Sequence, residues 1–252
     1  MYIVAIYRLP EKKETLAATL AAALEATVYE ALSRLRPPGE GPLVVSVSAT
    51  IGQAEQLLTR LKAKGFDAVL LENDEIETEA DRFVVRKFRL GRDTLAVESE
   101  TARLAVDYSS IDLIIRGTSI TQTTLTESIK EKKFAPGMAL LTSGLKMTKT
   151  TEKILESTTQ NREGFFLLYA GDQKTLVFRE SRLGYASLGA ALQATRQANF
   201  SYLLDELRRN SPNAFYDDRL SSRAGQLLLL GPLLSPEKYL DIATTLLAKL
   251  LR

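Results

Sequence analysis

The spacing of hydrophobic residues along this chain switches between a helical period and a period of two, and the switches mark out its elements. Alternating runs fill 83–117 as FVVRKFRL, TLAVES, ARLAVDY and IDLIIRG, and they resume over 165–179 as FFLLYA and TLVFR. Short runs separated by turns of a few residues are most easily buried as a curled antiparallel sheet. Phe88 and Leu90 are expected to face Leu95 and Val97 across the turn Gly91-Arg92-Asp93. Leu104, Val106 and Tyr108 then share a face of the third strand, and Ile111, Leu113 and Ile115 a face of the fourth. A helical pattern over 197–209, with Phe200, Leu203, Leu204 and Leu207 on one side, closes the sheet, and Asn210-Ser211-Pro212 ends it.

The first third of the chain has a different rhythm. Residues 2–9 predict a strand, stopped at Pro10 because proline donates no ladder hydrogen bond. From 13 to 36 the apolar positions Leu16, Leu20, Leu24, Val28, Leu32 and Leu35 predict a helix or, with a break at Val28 and Tyr29, a helix pair, ended by Pro37-Pro38-Gly39. A strand over 43–47, a helix over 52–64 with Leu57, Leu58 and Leu61 inward, and a strand over 66–71 follow. Gly65 supplies the left-handed cap of that helix. The chain thus reads as α+β: a small strand-helix-helix-strand-helix-strand domain over 1–73, and an antiparallel sheet domain over 83–218. Between them, 74–82 reads as a solvated acidic linker; its carboxylates lack the turn-forming glycine of a calcium loop.

The stretch LAAALEATVYEALSRLRPPGEGPLVVSVSATIGQAEQLLTRLKAKGFDAVLLEN resembles the fold shared by the ribosomal stalk protein's C-terminal domain and the Clp protease adaptor. The adaptor's peptide pocket uses an Asn-Asp-Asp run and a histidine. The corresponding residues here read RLPEKK and hold no histidine, so the resemblance implies protein binding in general and no binding residue. The later strands with their closing helix resemble the pleckstrin-homology-like barrel, carried by RxFxL and IxLIIRGT. Together with REGF, YDDRL and the Thr-rich arms described next, the arrangement resembles an uncharacterised bacterial two-domain family.

An insertion over 118–162 interrupts the sheet. Its arms, TSITQTTLTESIKEKK and KMTKTTEKILESTTQNR, are rich in β-branched threonine and predict a long antiparallel hairpin. Its tip, FAPGMALLTSGL, is apolar and uncharged. A tip of this kind is costly in water unless covered. Three covers are open: the rest of the chain, a partner chain, or a membrane interface where each flanking lysine contributes about 1 kcal/mol on an anionic surface. Glu127, Glu131 and Glu152 weaken the last. The contact residues expected for a partner or membrane are Lys132, Lys133, Phe134, Met138, Leu140, Leu141, Leu145, Lys146 and Met147. The tail, 219–252, ends in a helix capped by Ser235 and Pro236. Its apolar stripe either packs on the chain itself or self-associates through Leu246, Leu247 and Leu250.

Composition narrows the chemistry. There is no Cys and no His, which removes thiolate and imidazole catalysis and most zinc sites. Lys plus Arg number 33 against 31 Asp plus Glu, so no global field draws nucleic acid. No run approaches the roughly 20 apolar residues that a spanning helix needs, and the first residues read as a strand rather than a signal peptide, so a cytoplasmic protein is expected. Arg116 offers a fork for an anion or an ion pair with Asp112 or Glu163, and the ion pair is the preferred reading. Asp217 and Asp218 are read as a solvated turn rather than an acid/base pair. The expectation is a non-catalytic protein-binding or assembly module without a cofactor, acting through a protein partner or as a homo-oligomer. The alternative is a peripheral membrane or lipid-headgroup binder using the same tip.

Overall fold

The computed structural model describes residues 1–9, 14–36, 41–134 and 148–252. The chain forms two compact units, Met1–Ser119 with Glu163–Arg252, and Ile120–Arg162. It is mixed α+β, with antiparallel and mixed sheets, none of them closed among the described residues.

In the first unit, β1 (Tyr2–Tyr7) is the middle of a three-stranded sheet and pairs antiparallel with β2 (Leu43–Ser48) and β3 (Asp67–Glu72). The helices α1 (Glu14–Leu24), α2 (Val28–Leu35) and α3 (Ile51–Ala63) supply one of its cores. The break between α1 and α2 is a capping box. Thr27 Oγ1 accepts from the Glu30 amide at 3.2 Å, and Glu30 Oε2 accepts from the Thr27 amide at 2.8 Å. Because the helix restarts there, the stripe expected from 13 to 36 does not continue. Ala31 and Leu35 are buried, while Val28 and Tyr29 are 48% and 76% exposed.

The strand expected over 83–90 splits at Arg86 into β4 (Phe83–Val85) and β5 (Lys87–Leu90), which enter different sheets. β5 begins a meander with β6 (Thr94–Glu98) and β7 (Arg103–Asp107), in which Phe88 lies opposite Val97 and Leu90 opposite Leu95, as the pattern predicts. A five-stranded sheet follows the order β11-β8-β9-β10-β4, with β8 at Ile111–Phe134, β9 at Thr148–Ala170, β10 at Leu176–Arg179 and β11 at Phe215–Leu220. It is not purely antiparallel: β10 pairs parallel with β4, and β11 parallel with β8.

This sheet is buried on both faces. Phe165, Leu167 and Tyr169 enter one core and Phe166, Leu168 and Ala170 the other, which is why FFLLYA is continuously apolar instead of alternating. On one face the meander and α4 (Arg196–Asn210) cover it, with Phe166 stacked 4.4 Å from Phe178 and 5.1 Å from Phe200. On the other lie α5 (Arg223–Leu230) and α6 (Pro236–Leu251). The same helices pack against Ile3, Ala5, Val44 and Leu71 of the first sheet, so one central core joins both sheets. Residues from Ile242 through Ala248 are buried without interruption, as befits a helix held between two sheets.

Candidate functional site

The residues expected to contact a partner divide by position. Lys132, Lys133 and Phe134 are the last residues of β8. Met138, Leu140, Leu141, Leu145, Lys146 and Met147 lie outside the described residues. The self-association surface expected at the C-terminal helix is corrected by the structure: Leu246 and Leu247 are fully buried in the central core and Leu250 is partly buried against it, so the stripe covers the chain's own sheets.

Two further expectations change. Asp217 lies in β11 instead of a solvated turn and is buried, accepting from Arg219 Nε at 2.7 Å and from the Arg219 amide at 3.0 Å. Arg219 also donates to the Gly41 carbonyl, tying β11 to the loop before β2. Asp218 points to solvent, since neighbours on a strand face opposite sides. Neither acid proposed for Arg116 needs it for a partner: Asp112 is held by Arg252 at 3.0 Å and Glu163 by Arg179 at 3.4 Å.

The acidic segment 74–82 is exposed at Asp74, Glu75, Thr78, Ala80 and Asp81 but is anchored at Arg82. Arg82, 7% exposed, donates to Asp241 Oδ1 at 2.7 Å and Thr244 Oγ1 at 3.0 Å on α6, and it meets Glu77 Oε2 at 3.3 Å. The Glu77 amide donates to Thr245 Oγ1 at 3.1 Å. The charges that make this segment look like a linker thus fasten it to the last helix.

The fastening leaves a cleft of about 800 Å³ beside it. Its walls are the turn after β3, the start of β8 at Asp112, the β9–β10 turn and the last turns of α6. Asp74, Glu75, Glu77, Asp81, Asp112 and Asp172 line it, against the cations Lys249 and Arg252. Both cations are engaged, Lys249 with Glu75 and Arg252 with Asp112 and the Gly171 carbonyl. Burial opposes the ionisation of Glu75, but the Glu72 amide and Lys249 outweigh it and hold the carboxyl below its ordinary range. Hydrogen bonds from the Thr78 hydroxyl and amide do the same for Asp81. The cleft is therefore anionic near neutral pH.

Tyr169 also lines the cleft. It is 3% exposed, Arg252 sits 5.4 Å from its ring centroid, and its hydroxyl has no hydrogen-bond partner among the described residues. Burial pushes the phenol well above its ordinary value, so it is neutral. No signal in FFLLYA separates this tyrosine from its core neighbours, whereas the acids of 74–82 are visible as a cluster in the sequence. Among the described residues no three carboxylates converge closely enough to hold a metal ion, and no helix is long and apolar enough to cross a membrane.

A second depression, of about 670 Å³, lies beside the meander and is lined in part by Phe88, Val97, Leu104 and Ala186. Comparison with protein-family models, with curated proteins and with solved structures gives no match.

Proposed function

We propose that this chain is a non-catalytic assembly module that joins other protein chains through its two-stranded arm. The observation that supports this reading is a mismatch of strand lengths. β8 has 24 residues and β9 has 23, but β11 and β10, their other neighbours, have 6 and 4. The pairing with β11 ends at Gly117 and that with β10 begins at Phe165. Beyond those points β8 and β9 have only each other among the described strands, and residues 120–134 extend about 50 Å at the ordinary strand rise. A lone two-stranded ribbon is marginal in water, and each open edge is a template for another strand. The apolar, uncharged sequence that follows β8 adds a second adhesive element.

The finer resemblances belong to the same reading. The element order of 1–73 supports an adaptor-like fold, and the meander with α4 supports a pleckstrin-homology-like one, while the parallel pairings of β4 and β11 are foreign to such a barrel. Both folds commonly serve recognition, so they point the same way as the arm. The membrane alternative rests on the lysine-flanked tip of the sequence, and salt-sensitive co-sedimentation with anionic vesicles is its assay.

Light scattering on the full chain and on a chain with residues 121–161 replaced by an Asn-Gly turn tests the proposal. The full chain is expected at a multiple of its 27.9 kDa mass, and the armless chain as a monomer with an unchanged melting temperature. Leu140→Asp in the full chain is expected to shift the distribution toward monomer. Equal stoichiometry for the full and armless chains overturns the proposal.

A further inference from the structure

We propose that β7 is a self-association edge, pairing antiparallel with β7 of a second copy of this chain about a two-fold axis at Ala105. β7 is an outer strand of the meander. The Tyr108 amide donates to the Asp93 carbonyl and the Ser99 amide to the Ala102 carbonyl, and the unbroken register between those bonds turns the backbone groups of Leu104 and Val106 toward β6. Those of Arg103, Ala105 and Asp107 therefore point away from the sheet. The Ser110 hydroxyl donates to the Asp107 carbonyl at 2.7 Å, which leaves that oxygen a second lone pair. The other described edges are blunted. β2 bulges at Val45, whose carbonyl accepts from Arg34, β4 has three residues, and the register of β11 breaks after Asp217. Beside β5 the Gly184 amide occupies the Arg86 carbonyl, and β3 carries an acid at each end.

An open edge alone identifies no partner, and the independent pointer is that Arg103-Leu104-Ala105-Val106-Asp107 complements its own reverse. Centred on Ala105, antiparallel pairing sets Arg103 opposite Asp107 of the second copy, and Leu104 opposite Val106, at both ends of the pair. Arg103, Ala105 and Asp107 are exposed on the outer face. Arg103 lies 3.5 Å from Glu98 with its side chain 83% exposed, an ion pair that solvent weakens. Leu104 is half-buried at the end of its row, where a further strand would cover it. The hydrogen-bond phase selects the same centre as the charges. A two-fold at Ala105 lets the outward groups of all three residues exchange about six hydrogen bonds, whereas one at Leu104 or Val106 would meet groups already spent on β6. Five residues from each copy bury far less than the roughly 800 Å² per partner of a standard interface. The pairing is therefore transient, leaves dilute chains apart, and is separate from the arm.

The chain has no cysteine, so a single introduced thiol reports the pairing. In the full chain, Ala105→Cys oxidised with diamide is expected to give a disulfide-linked dimer, because Cα atoms paired at the two-fold are about 5.5 Å apart, within disulfide range. Ala96→Cys, also exposed but one strand further in, holds its thiols roughly 14 Å apart and is expected to crosslink about tenfold more slowly. Added to Ala105→Cys, Arg103→Asp sets two carboxylates against each other across the pair, and Asp107→Arg sets two guanidinium groups. Each is expected to slow crosslinking several-fold, and the two together to restore it, with melting temperatures confirming that the variants fold. The comparison of the two thiols stands without these charge variants. Light scattering on dilute chains reports on the arm and crosslinking on this edge, so either interface can fail alone. Equal rates for Ala105→Cys and Ala96→Cys, or a double reversal that stays as slow as the single ones, overturns the proposal.

Discussion

Glu79 illustrates how single residues fasten the acidic segment 74–82 to the sheet. It accepts from Arg179 of β10 and, at 2.6 Å, from Arg182. Burial alone would raise its pKa, but the two guanidinium groups outweigh that and hold the carboxyl below the ordinary glutamate value of 4.5. A depressed folded pKa means that the unfolded chain takes up the proton first as pH falls. The stabilisation is therefore fully present above about 4.5 and disappears as pH drops through the folded value. Glu79→Gln is expected to cost about 1 kcal/mol at pH 7, a magnitude set by the partial exposure of the pairs. Urea midpoints measured from neutral to acidic pH check this: the difference between the two chains should shrink below pH 4.5, and a constant difference at pH 3 refutes the assignment.

At the scale of elements, the turn from β11 into α5 shows how tightly strand and helix are joined. Ser222 caps α5 by accepting from the Gly225 amide at 3.0 Å. A Cβ on Gly225 would lie 1.9 Å from the Arg219 carbonyl oxygen, a backbone atom that cannot swing aside. Glycine to alanine usually stabilises a helix by up to about 1 kcal/mol. Here Gly225→Ala is expected to destabilise the fold by about 2 kcal/mol, the cost of overpacking, and a higher urea midpoint for the variant refutes this. Such close approaches are invisible in sequence, where nothing in RAGQLLLL sets Gly225 apart. What the sequence does show is whatever depends on local periodicity: the register of β5 against β6, the buried face of α4 and the helical pair before β2. What it hides depends on neighbours from elsewhere in the chain. The continuous FFLLYA run is compatible with a half-buried strand or a fully buried one, and only α5 and α6 on its far side decide between them. The cleft is hidden for the same reason. Asp112 meets Arg252 across 140 residues, and Arg82 meets Asp241 across 159, separations over which spacing carries no signal.

At the scale of the molecule, α5 and α6 turn what reads as separate domains into one layered body within the first unit. Helices α1 to α3 cover the first sheet on one face, and α5 and α6 take its other face together with the near face of the five-stranded sheet. Each sheet thus relies on the same helices to keep one face dry, so neither can open without wetting the central core. Leu247 sits fully buried in that core. Leu247→Ala is expected to cost about 3 kcal/mol, the usual penalty for a cavity in a packed core. If the layers unfold together, the loss falls on both sheets alike. Amide exchange that proceeds by global opening should accelerate roughly a hundredfold in β1 to β3 and by the same factor in β9 and β10, although those strands belong to different sheets. Acceleration confined to one sheet would mean that the two open independently and that α6 is no common support. Equal acceleration makes the last helix the element on which both sheets depend, in keeping with the full burial of Leu246 and Leu247.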